Sequence, residues 1–206
     1  MTDRLPARLV LATGNAGKLR ELRAILAPWQ VEVLPQSDFT GSAAEETGHS
    51  FVENAILKAR FAAAAAGLPA IADDSGLEVD ALGGAPGIRS ARYAGEGASD
   101  AANNARLLGE LQEVPDAART ARYRCAVVYL RYPGDPAPIV CEASWEGRIA
   151  RAPRGSGGFG YDPLFVVAGT DRTAAEFEAG EKNGVSHRGK ALRALVARLG
   201  DVGHEP

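Results

Sequence analysis

The amino-acid sequence predicts an α/β protein with a mixed sheet, and two observations carry that prediction. Short apolar runs alternate with segments of helical spacing, which is the signature of βα units. Two long strand-like segments, RYRCAVVYLRY and PIVCEASWEGRI, flank the turn-rich PGDPAP and read as an antiparallel pair.

The elements follow in order. RLVLAT (8–13) reads as a buried strand. Leu19, Leu22, Ile25 and Leu26 then recur at helical spacing, and VEVLP (31–35) is a second strand. Ser50 and Glu53 fit a capping box opening a helix that runs through the alanines until Gly67 and Pro69 stop it. PAIADDSGLEVDAL reads as two strand pieces around a turn at Asp74-Ser75-Gly76. A helix follows near 100–111, with Ser99 or Asp100 as its N-cap. PLFVVA is a further strand, and Thr173 with Glu176 forms a second capping box ahead of a short helix. The last helix starts at Ser186, carries Leu192, Leu195, Val196 and Leu199 on one face, and ends at Gly200.

Bulk properties narrow the function. At 206 residues the chain suits a single domain of two lobes, 1–206, and it buries enough surface to need no disulfide staple. Its formal charge of −3 argues against a nucleic-acid surface, so any phosphate chemistry belongs to a local site. Cys125 and Cys141 lie in strand-like segments without a CxxC pattern and read as reduced, buried thiols. No window reaches the roughly 18 apolar residues of a membrane span, and the start of the sequence lacks a signal-peptide core. The expectation is a cytoplasmic protein with no membrane and no nucleic-acid partner.

Five stretches could carry chemistry, and each also has a plainer use. TGNAGK (13–18) sits between a strand and a helix, where glycines turn backbone N–H groups toward an anion and Lys18 adds a full charge. An ordinary glycine-rich turn with a surface lysine is its plainer use. It is not a Walker A loop, because Leu19 stands where Ser or Thr is required, and it lacks the GxGxxG spacing. Asp73 and Asp74 sit at a strand end; Mg²⁺ takes one or two carboxylates plus phosphate oxygens, although an Asp-Asp-Ser-Gly turn can also cap itself. Glu46 and Glu53 add acidic company, with Glu53 read first as a cap. Asn54 and Lys58 are four apart on one helix face and can converge on one ligand. GSGGFGYDP (155–163) places Phe159 where a flat base could stack beside a hydrogen-bonding Asp162, or where aromatics simply pack inward. In EKNGVSHRGKAL (181–192), Arg188 in a first helical turn opposes the helix dipole, which makes an anionic or carbonyl partner there plausible.

Taken together the stretches TGNAGKLREL, EETGHSFVENAILKA, ADDSGLEVDALGGAPGIRSARYAG, GGFGYDPLF and KNGVSHRGKAL resemble the inosine triphosphate pyrophosphatase family, nearest to its bacterial dITP/XTP-cleaving branch. They run in family order over nearly the whole chain. The resemblance implies an elongated mixed sheet flanked by helices, two lobes with a central active-site cleft, a homodimer, and Mg²⁺-dependent cleavage of deaminated purine nucleoside triphosphates. It further implies that Thr13, Gly14, Asn15, Ala16, Gly17 and Lys18 bind the triphosphate. Asp74 would be the catalytic carboxylate and a metal ligand, with Glu46 helping with metal. Ser75, Phe159, Gly160, Tyr161, Asp162, Lys182, His187 and Arg188 would contact the nucleotide. The residue-level reading adds Asn54 and Lys58 to the ligand set. A non-hydrolytic nucleotide-binding module is the competing reading, and it would have no use for the acidic set.

Overall fold

The computed structural model describes residues 6–201. Its six strands lie in one mixed sheet in the order β2-β1-β3-β4-β5-β6. They are β1 (Arg8–Ala12), β2 (Glu32–Pro35), β3 (Ala70–Val79), β4 (Thr120–Leu130), β5 (Ile139–Ile149) and β6 (Phe165–Val167). The helices are α1 (Ala16–Leu26), α2 (Phe51–Ala66), α3 (Asp100–Glu110), α4 (Ala179–Val185) and α5 (His187–Asp201). β1 is parallel to both β2 and β3, whereas β5 and β6 are antiparallel. The described chain divides into two compact units: one of residues 6–74, 125–143 and 188–201, the other of 75–124 and 144–187.

In the first unit, β1–α1–β2 and β2–α2–β3 are the parallel crossovers that the βα periodicity requires, the second carrying the chain past β1. Leu22 and Leu26 of α1 and Ala191, Leu192, Leu195, Val196 and Leu199 of α5 pack with Leu9, Leu11, Ile71, Cys125 and Val127 from the strands. α2 packs against β1 with a face of small residues, Ala55, Ala59, Ala62 and Ala63, all without exposed surface. Its start is set by Ser50, whose hydroxyl accepts the Glu53 N–H at 3.2 Å, while the Glu53 carboxylate accepts from His49 N at 2.6 Å. Glu53 is therefore spent on the start of the helix, although it takes the His49 N–H rather than the Ser50 N–H of the expected capping box. Gly67, at φ +63°, closes the helix in the left-handed region. Both thiols are free and buried, and burial pushes the Cys125 thiol up to about 12, which leaves it inert.

The second unit has its own core. Leu77, Tyr123, Trp145, Ile149, Leu164, Phe165 and Val167 pack with Leu107 and Leu111 from α3 and the end of its last turn. Gly147 is required there, because a Cβ would sit 2.4 Å from the Val166 carbonyl oxygen.

Three expectations are corrected. Residues 70–79 form one continuous strand rather than two pieces around a turn at 74–76. Asp, Ser and Gly favour turns through local hydrogen bonds, but pairing within the sheet outweighs that preference. The last helix continues through Gly200 to Asp201 instead of ending at the glycine. Finally, the segment after Thr173 is only a 3-10 turn, held by the expected capping box, and a separate helix, α4, follows it.

Candidate active site

The candidate site residues form two clusters, one within each unit. The first is built on β3. Successive residues of a strand point to opposite faces, so Asp73 and Asp74 meet different helices. Asp73 has no exposed side-chain surface and accepts Lys18 Nζ at 3.0 Å and Arg188 Nε at 3.1 Å. Arg188, the second residue of α5, also pairs with Glu21 of α1. Burial alone would raise the Asp73 carboxyl, but Lys18, then Arg188 and Lys58, outweigh it and hold it well below the usual carboxylate range. The anionic partner expected for Arg188 is thus supplied inside the chain.

On the other face, Asp74 Oδ1 lies 2.7 Å from Lys58 Nζ, which reaches Glu46 Oε1 at 3.1 Å. Asn54 donates its amide to Asp74 Oδ2 at 3.4 Å and accepts from Gly48 N at 2.8 Å. With no exposed surface, Asn54 orients Asp74 and ties down the segment ahead of α2. Burial pushes the Asp74 carboxyl up, against the pull of Lys58 and Lys18. Burial also acts against the Lys58 ammonium, yet Asp74, Asp73 and Glu46 together raise it, so it stays charged.

The phosphate-loop candidate precedes α1 as expected. Asn15 is the N-cap, and its side-chain oxygen accepts from Gly17 N at 2.8 Å and Lys18 N at 3.1 Å. Thr13 Oγ1 accepts from Asn15 N at 3.1 Å. Gly14, Asn15 and Ala16 are exposed, so the loop is open to solvent although its first helical N–H groups are capped from within.

The second cluster centres on Asp162, which is 2% exposed. Its Oδ2 accepts Lys182 Nζ at 2.6 Å and Phe159 N at 2.8 Å, and its Oδ1 lies 3.3 Å from the Tyr123 hydroxyl. Asp162 therefore shapes the loop from inside. Gly158 has φ +73°, and a Cβ there would fall 2.0 Å from Asp162 Oδ2, so only glycine permits this approach. Lys182 Nζ stands 5.0 Å from the centre of the Phe159 ring, in cation–π range. His187 stacks on Tyr123 with centroids 4.7 Å apart and planes 10° from parallel. Tyr161 is a core residue whose hydroxyl donates to Ser90 O at 2.8 Å. Phe159 and Gly160, in contrast, are partly exposed, as is Ser75 on β3.

The sequence raises Asp73 only as a partner of Asp74 for one cation, whereas the structure makes it the carboxylate that gathers Lys18 and Arg188. The signal was the Asp-Asp pair itself: in a strand, adjacent carboxylates serve two faces rather than one ligand.

An open loop at the start of a helix, with Lys18 and Lys58 held on adjacent buried carboxylates, has the chemistry of a phosphate-handling protein. The chain belongs to the Ham1 family, whose sequence profile matches residues 9–198. It is 62% identical over 192 residues to a dITP/XTP pyrophosphatase of Thioalkalivibrio sulfidiphilus (strain HL-EbGR7), covering 93% of this chain and 98% of that protein. The dITP/XTP pyrophosphatase of Escherichia coli (strain K12) is 55% identical over the same shares of the two chains. Among solved structures, a HAM1 protein from Coxiella burnetii superposes with a TM-score of 0.86 at 48% identity, covering 94% of this chain and 98% of that one. The Staphylococcus aureus Ham1 protein gives 0.82 at 40% identity, with the same coverage.

Proposed function

We propose that this protein hydrolyses deaminated purine nucleoside triphosphates such as ITP, dITP and XTP to the monophosphate and pyrophosphate, with Mg²⁺ as cofactor, so clearing them from the nucleotide pool. The activity class follows from relatives at 55–62% identity that are dITP/XTP pyrophosphatases over nearly their whole length. The observation that carries the chemical reading is the triad of Asp74, Lys58 and Glu46.

A single ammonium spans two carboxylates there, at 2.7 and 3.1 Å, so both can address one cation. No cluster of three or more His, Cys, Asp or Glu suited to a metal occurs among the described residues. Mg²⁺ does not need one, because one or two carboxylates with phosphate oxygens and water suffice. Asp74 and Glu46 fit that requirement and would hold the ion. When bound, Mg²⁺ would neutralise phosphate charge and favour the leaving pyrophosphate. Lys18 and Lys58 would neutralise further phosphate oxygens, while the open loop of Thr13 to Lys18 seats the triphosphate tail. Asp74 would orient the attacking water and take its proton at the carboxylate, with Asn54 fixing its rotamer.

Base selection falls to the second cluster and to Arg188. Phe159 offers an aromatic face for stacking, and Lys182 and Asp162 hold that face in place. His187 and Arg188 would donate toward O6 of a 6-oxo purine, where adenine presents a donor instead. We place the enzyme in the cytoplasm as a homodimer, extending the family resemblance. No described helix is long and apolar enough to cross a membrane.

The test is pyrophosphate release from ITP, dITP, XTP, GTP and ATP, with and without Mg²⁺. Turnover of the first three, strongly reduced for ATP and GTP and lost with chelator, is expected. Orthophosphate as the first product would mean γ-cleavage and would sink the proposed chemistry. In ¹⁸O-water the label belongs in the monophosphate.

A further inference from the structure

The loop that carries Phe159 is also held from outside itself. Gly160 donates its N–H to Asp100 Oδ2 at 2.7 Å, and its carbonyl accepts from Asn104 Nδ2 at 2.9 Å. Asp100 and Asn104 are four residues apart on α3, so they share one face of that helix. Both backbone groups of one glycine, at φ +62°, are thereby gripped by one helical turn some 56 to 60 residues away in sequence.

α3 is a firm mount for such a grip. Ser99 caps it, accepting from Ala102 N at 3.2 Å, and Leu107 is buried without exposure. Asn103 ties it to the preceding segment, accepting from Ala94 N at 2.7 Å and donating to Ala91 O at 3.2 Å. Asn104 keeps its donor on Gly160 even though its own Oδ1 lies buried without a hydrogen-bond partner in the described structure. An acidic residue in a first turn also complements the helix dipole. That role alone would not aim Asp100 at a loop amide.

We propose that Asp100 and Asn104 are positioning residues for base selection. They fix the peptide on the C-terminal side of Phe159, while Asp162 fixes its N–H from within the loop. The ring is thus set between two anchors, and its placement relative to the purine depends on α3. The assignment rests on the reading that Phe159 stacks on the base. Misplacement by about 1 Å costs a preorganised site up to about a hundredfold. Truncating the bracket should therefore erode selectivity more than it erodes phosphate binding.

The experiment compares wild type with Asp100→Ala, Asn104→Ala, the double alanine variant and Asp100→Asn, which retains an acceptor oxygen. For each, kcat/KM is measured for ITP and ATP, with urea midpoints as a check on folding. The double variant should lower the ITP:ATP ratio about tenfold or more. Each single alanine change should lower it less, and Asp100→Asn should keep it within about threefold of wild type. Amide exchange over the peptide containing Gly160 should quicken in Asp100→Ala and stay slow in Asp100→Asn. If the double variant does not fold, the single alanine variants carry the same comparison. An unchanged ratio in the alanine variants, or Asp100→Asn behaving like Asp100→Ala, overturns the bracket. A wild type with no preference for ITP over ATP would instead overturn the functional reading. Unchanged exchange at Gly160 in Asp100→Ala would overturn the bracket independently.

Discussion

Replacing Arg188 by methionine tests the electrostatic frame under the site. The guanidinium is 3% exposed and faces two carboxylates, Asp73 through Nε at 3.1 Å and Glu21 through Nη1. Methionine keeps the volume of the stem but removes the charge between two acids, one of them wholly buried. Truncating one partner of a buried ion pair costs about 3–5 kcal/mol, because the remaining charge is left in a poor solvent. Lys18 remains on Asp73 at 3.0 Å and should keep the loss toward the lower end.

With a urea slope of roughly 2 kcal/mol per molar, a loss of about 3–5 kcal/mol lowers the midpoint by about 1.5–2.5 M. The assay is urea unfolding of wild type, Arg188→Met, Asp73→Asn and the double variant. Once Asp73 is neutral, losing Arg188 should cost less, so the double variant should fall short of the summed single losses by about 1 kcal/mol or more. A midpoint shift under about 0.5 M, or strict additivity, would refute the reasoning. In the same variants, kcat/KM for ITP should fall further than for ATP, by on the order of 1.5–3 kcal/mol if Arg188 also donates to the base. Equal losses would confine it to holding Asp73 and Glu21.

Three further outcomes are expected. Asp74→Asn should cut turnover about 10²–10⁴-fold while the unfolding midpoint holds or rises, since burial disfavours the carboxylate it replaces and Lys58 keeps Glu46 at 3.1 Å; near-normal turnover would remove Asp74 from the chemistry. Gly158→Ala should cost at least about 1–2 kcal/mol from its left-handed backbone alone and more from the clash with Asp162, with nucleotide turnover falling together with stability; a wild-type midpoint would show that the loop relaxes freely. Asp135 caps the β4–β5 hairpin, accepting from Arg131 N, Nε and Nη2 and from Ala137 N, and the Arg131 guanidinium foremost holds its carboxyl below the usual range. Its contribution is therefore full above the ordinary carboxylate value near pH 4 and lost as pH falls through the lowered one. Asp135→Asn should lower Tm at pH 7 and converge with wild type in strong acid.

Much of this architecture is legible in the sequence because periodicity and caps are local. Leu22 and Leu26 face the core as their spacing says, Ser50 and Thr173 cap where their partners three residues on predict, and PGDPAP joins two neighbouring strands. The clearest failure shows why the rest is hidden. Asp74-Ser75-Gly76 carries turn chemistry yet lies inside β3. There tertiary pairing, which no short window contains, outweighs the local preference. Site chemistry follows the same rule. Residue types pointed to Asp162, Tyr161 and Asn54, but only the folded chain reveals that these side chains are engaged by protein groups and serve their neighbours.

That distinction gives β3 its particular place in the protein. A strand presents adjacent side chains to opposite faces, so a single Asp-Asp step can couple two helical layers that share no side-chain contact through it. Asp73 gathers Lys18 from the first turn of α1 and Arg188 from α5, while Asp74 gathers Lys58 and Asn54 from α2. Shifting β3 by one residue would exchange those partners and aim the wrong carboxylate at each lysine. The register with β1, Val10 opposite Ala70 through Ala12 opposite Ala72, ends immediately before the two acids. The ladder that holds the strand thus also fixes which aspartate meets which cation, and the apolar register of the core becomes the alignment of the charged site.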